Sequence, residues 1–75
     1  MESYTTQLSR KAEYMEVEVD EIIAFMDSYN FDNMSDDDQR DVEDQYSVMS
    51  IYLDILRKRI DKELDQTEET YYERY

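Results

Sequence analysis

Residues 29–38 read Tyr29-Asn30-Phe31-Asp32-Asn33-Met34-Ser35-Asp36-Asp37-Asp38, and this stretch separates two long apolar series. Before it come Leu8, Ala12, Met15, Val19, Ile22 and Met26, in alternating steps of four and three. After it come Val42, Tyr46, Met49, Leu53, Leu56, Ile60 and Leu64, with the same spacing apart from a final step of four. Steps of three and four keep side chains on one face of a helix, in the manner of a coiled-coil seam. The first part of the intervening segment, Tyr29–Met34, with two Asn and an Asp, suits a turn that visits the left-handed region. Ser35, three residues before Asp38, has the form of a capping box, and three successive Asp complement the dipole of a following helix.

The reading is therefore all-α: an antiparallel two-helix hairpin, coiled-coil-like, over a single domain of residues 1–75. Helix one is expected at about 4–28, a loop at about 29–35, helix two at about 36–66 and a tail at 67–75. The tail, polar and rich in tyrosine, could continue the helix, fray, or dock on another subunit. In the antiparallel register Met26 falls near Val42, Val19 near Met49, Met15 near Leu53, and Leu8 near Ile60. Tyr46 belongs to the core.

Composition narrows the chemistry. The chain of 75 residues has no Gly, Pro, Cys or His. Without Gly or Pro, long uninterrupted helices become the default. Without Cys or His there are no disulfides, thiolate nucleophiles, imidazole bases or common zinc ligands. A glycine-rich phosphate loop is ruled out, and the three Asp lack the Gly and the spaced ligands of a calcium loop. The reading is a non-enzyme with no cofactor and no metal. No run of about 18 apolar residues is present, so no membrane span is expected. Residues 1–9 have neither the basic nor the apolar part of a secretory signal, which makes the cytoplasm the default location.

A chain this short has a marginal core, and a partner subunit is the stabilising device its composition leaves open. One seam leaves apolar residues over. Val48, Ile51, Tyr52 and Ile55 on helix two, and Tyr14, Ile23 and Phe25 on helix one, lie outside it. Surplus apolar faces of that extent mark interaction surfaces, and a homo-oligomer is the expected outcome.

Charge is polarised. The net charge is −13, from 21 acids and 8 bases. Such a surface repels nucleic acid and anionic membranes, so neither is an expected direct partner. From Glu13 through Asp54 there are fourteen acids and one base, Arg40. Arg10 and Lys11 near the start of helix one, and Arg57, Lys58, Arg59 and Lys62 late in helix two, meet at the open end of the hairpin. Two accounts of these bases stand. They can stabilise the end of helix two and pair with Asp61, Glu63 and Asp65. Or they can form an anion site, with Arg as the bidentate phosphate partner and Tyr4 and Tyr14 as stacking platforms for a purine.

The stretch Val17–Ile60 carries a more distinctive pattern. It comprises Ile23 and Phe25, then Phe31, Met34-Ser35 and Asp38-Gln39. The run from Gln45 through Met49, Tyr52-Leu53 and Leu56 to Arg59-Ile60 completes it. This resembles the helical-hairpin domain of small tailed-phage proteins, and is similar to the hairpin of phage anti-CBASS and anti-Thoeris sponges. Those proteins sequester cyclic nucleotide immune signals. The resemblance implies a homo-oligomer holding a cyclic di- or trinucleotide between protomers, in the host cell cytoplasm. Arg59 matches the pattern directly, whereas Arg57, Lys11, Tyr4 and Tyr14 are placed by the hairpin geometry. Two other classes remain: an acidic inhibitor that imitates nucleic acid in the cleft of a basic host protein, and a structural assembly protein.

Overall fold

The computed structural model describes the backbone of residues 3–73 and the side chains of residues 3–65. Among these residues the chain is all-helical and contains no strand. Helix α1 spans Tyr4–Met26, a single-turn helix α2 spans Tyr29–Asp32, and the long helix α3 spans Asp36–Glu73. At about 1.5 Å per residue α3 is roughly 57 Å long. It sets the length of a molecule measuring 62 × 20 × 16 Å.

Each helix start is fixed by a serine. Ser3 is extended (φ −68°, ψ 159°) and its Oγ accepts the Thr6 N–H at 3.1 Å. Ser28 is likewise extended and caps α2, accepting the Phe31 N–H at 3.3 Å. Ser35 Oγ accepts the Asp38 N–H at 3.2 Å, with Asp36, Asp37 and Asp38 all in the first turn of α3. A hydroxyl cap of this kind contributes about 1 kcal/mol, and acids in the first turn add to it through the dipole.

The connection differs from a left-handed turn. No described residue has positive φ. The chain instead turns through α2, whose ends are tied by side chains to neighbouring carbonyls. Ser28 Oγ donates to the Phe25 carbonyl at 2.5 Å, which ends α1 at Met26 rather than at 28. Asn33 Nδ2 donates to the Tyr29 carbonyl at 2.9 Å, and Gln39 Nε2 reaches back from α3 to the Phe31 carbonyl at 2.8 Å. Phe31 packs edge-on against Phe25, with ring centroids 6.1 Å apart. Asn33 thus acts through its side-chain amide and a right-handed backbone, not through αL geometry.

Helices α1 and α3 pack against each other. Tyr4 meets Arg59 and Glu16 meets Arg57, while Ile22 and Phe25 line one groove with Val42 and Met49. The start of α1 therefore lies against the late part of α3, and its end against the early part, so the two run antiparallel. Leu8, Val19 and Ile22 from α1 and Leu53 and Leu56 from α3 are buried, Leu56 completely. Burying each such side chain contributes about 1.5–3 kcal/mol, and five of them make a small core. Ala12, Met15, Met26, Val42, Tyr46, Met49 and Ile60 are half-buried at its margins, so Tyr46 lies at the edge of the core rather than within it.

Two expectations need correction. Leu64 is 51% exposed although it continues the seam, because α1 begins at Tyr4 and only its first turn reaches that part of α3. Helix α3 also runs on past residue 66 to Glu73. The stretch contains neither Gly nor Pro, and helix formers such as Glu continue it. Docking of the tail would involve side chains from residue 66 on, which lie outside the described residues.

Candidate functional site

The antiparallel arrangement brings the early bases of α1, Arg10 and Lys11, to the same end as Arg57, Lys58, Arg59 and Lys62 of α3. At that end the structure joins two of the candidate residues directly. Arg59 Nη2 donates a hydrogen bond to Tyr4 Oη, and the guanidinium carbon lies 5.6 Å from the Tyr4 ring centroid. A cation over an aromatic face at this distance is attracted by the ring quadrupole. The contact spans the two helices and fixes the orientation of an otherwise exposed arginine. Lys11 follows Tyr4 by one heptad and so shares its side of α1, where it is exposed.

Arg57 is placed elsewhere. Two residues on a helix point roughly 200° apart, so Arg57 and Arg59 leave α3 on opposite flanks of α1. Arg57 pairs there with Glu16 at 3.5 Å, both side chains being more than half exposed. An exposed ion pair of this type adds little stability. Its consequence here is electrostatic: Glu16 offsets the charge of Arg57. Glu16 was not among the candidate residues, and the signal that would have found it is the two-residue spacing of the arginines. Lys58 is held by Asp54, one turn earlier in α3, at 3.3 Å.

Tyr14 is 75% exposed and lies on the outer side of α1, in a shallow surface groove with Arg10, Glu13 and Val17. It is separated from the Tyr4–Arg59 pair within the chain. The structure therefore joins Tyr4 with Arg59, sets Lys11 on the same flank, and puts Arg57 and Tyr14 on other surfaces. The Tyr4–Arg59 flank offers a fixed guanidinium and an aromatic ring at one place, the groups that a phosphate and a base require. Among the described residues, no helix is long and apolar enough to cross a membrane.

What these features define is an all-helical protein with a flank that combines cations and an aromatic ring, and with several exposed apolar side chains. The family model for Sequestin matches residues 4–62, from the first residue of α1 to the last base of the cluster, and the chain belongs to that family. The family name suggests sequestration of a signal molecule. No curated protein and no solved structure matches the chain.

Proposed function

We propose that this chain is a phage anti-defence protein that sequesters a cyclic nucleotide immune signal in the host cell cytoplasm without cleaving it. The observation that carries the reading is the Tyr4–Arg59 pair, seen in a member of the Sequestin family. Arg59 supplies a bidentate donor for a phosphodiester, and Tyr4 a ring against which a base can stack. Lys11 adds a second cation on that flank, while Arg57 and Tyr14 reach a ligand only from a neighbouring copy. The protomer is a helical hairpin, and the working unit is a homo-oligomer whose cyclic di- or trinucleotide lies at the boundary between copies. No residue is assigned a catalytic part.

The test is a melting panel of cyclic di- and trinucleotides on the full chain, with the oligomer mass measured alongside. A true ligand at 100 times its Kd stabilises the folded form by about 2.7 kcal/mol. Arg59→Ala is expected to abolish the shift while leaving helicity and mass unchanged. Ligand recovered intact after denaturing the complex supports sequestration. A panel with no shift, or an Arg59→Ala variant that binds normally, overturns the reading.

A second reading has its own observation. The acids from Glu13 to Asp54 face a single base, and all fourteen are exposed, giving the turn end an anionic surface suited to a basic cleft. On that reading, capture from host lysate returns a basic nucleic-acid-binding protein that is released by salt.

A further inference from the structure

Helix α3 carries a second stripe that α1 does not cover. Val48, Ile51, Tyr52 and Ile55 are 65%, 61%, 40% and 44% exposed. Their spacing places them on one face, roughly 130° around the helix from the stripe that packs on α1. The stripe continues in both directions with charge. On the N-terminal side the same face presents Asp41 and Asp44, and on the C-terminal side Arg59 and Lys62, all exposed.

This order is self-complementary. Turning the helix end for end about the Ile51–Tyr52 midpoint exchanges Asp41 with Lys62, Asp44 with Arg59, and Val48 with Ile55. We propose that α3 of one protomer packs antiparallel on α3 of a second copy across a two-fold axis at Ile51–Tyr52. Each acid then faces a base of the partner, and the apolar residues close on one another between them. Isologous two-fold contacts require a patch complementary to itself, and flanking charges set the direction of paired helices. A parallel pairing on the same stripe sets Asp against Asp and cation against cation, which electrostatics disfavours.

The proposal deepens the homo-oligomer of the proposed function and rests on it only in that copies associate. It also puts Arg59, and with it Tyr4, at the edge of the interface, where a ligand can meet both protomers.

A charge-exchange cycle tests the register. Asp41 and Lys62 are roughly 31 Å apart along one helix, so they cannot pair within a chain. In a two-fold dimer each contact occurs twice, and a single reversal turns two attractions into two repulsions. Asp41→Lys alone and Lys62→Asp alone are each expected to raise the dimer dissociation constant by about tenfold or more at moderate salt. The double variant is expected to restore it to within about threefold. Sedimentation equilibrium of the full chain reads the constants, with circular dichroism confirming helicity. Because the chain has no cysteine, Ile51→Cys supplies a second measurement: oxidation links two copies, whereas Asp20→Cys on α1 does not.

A monomeric wild type, single reversals without effect, or a double variant as weak as either single one overturns the interface. So does a dimer of normal mass that Ile51→Cys fails to link. Each of these is independent of the cyclic-nucleotide melt. Loss of ligand binding in an intact dimer bears on the sequestration reading alone.

Discussion

Leu56 and Ile55 are neighbours in sequence, yet one is the most completely buried residue described and the other is 44% exposed. They belong to two stripes of the same helix. The stripe of Leu53, Leu56 and their heptad relatives is covered by α1, while that of Val48, Ile51, Tyr52 and Ile55 is open. Both are equally apolar in sequence. What differs is whether a partner exists within the chain, and α1 is one helix wide. Binary patterning fixes which face seeks cover but not whose surface supplies it.

The comparison can be broken at its covered side first. Leu56→Ala removes the central core side chain and is expected to cost about 2–5 kcal/mol, unfolding much of so small a protein. Denaturant titration at a fixed low protein concentration reads this as a large fall in midpoint. At the next residue, Ile55→Ala is expected to leave that midpoint nearly unchanged, within about 0.5 kcal/mol, as surface changes do. Its effect should appear in self-association, weakened several-fold in sedimentation. If both variants lost the same stability at low concentration, the two stripes would not be distinct. The smallest expected effect sharpens the boundary between covered and open. Leu64 lies by the very start of α1 and is half exposed, so Leu64→Gln should shift the midpoint by less than about 0.5 kcal/mol.

Much of the architecture could be read from residue spacing, because the 3-4 repeat from Leu8 to Met26 and from Val42 to Ile60 maps onto buried and half-buried positions without exception. Spacing failed at Leu64 for a reason outside the helix that contains it: the place where α1 starts. The turn misled differently. Asn30 and Asn33 invited a left-handed reading, but the serine and amide side chains satisfy the exposed backbone groups and leave every described φ negative. Of the candidate site, the clustering of bases at one end followed from charge order and antiparallel packing. The union of Tyr4 with Arg59 and the separation of Arg57 did not, since that depends on angle around α3 rather than position along it. Glu16 belongs to the same lesson. It is remote from Arg57 along the chain, yet it lies across the groove from that residue.

The glycine-free connection between α1 and α3 has a consequence for how the chain can vary. Its direction is written in hydroxyl and amide groups at Ser28, Asn33, Ser35 and Gln39, not in a backbone geometry that only one residue type tolerates. A bulkier side chain at any position there meets no steric prohibition from φ. Loss of a hydroxyl instead loosens a joint, so tolerance to substitution in this segment should track hydrogen-bonding capacity rather than size.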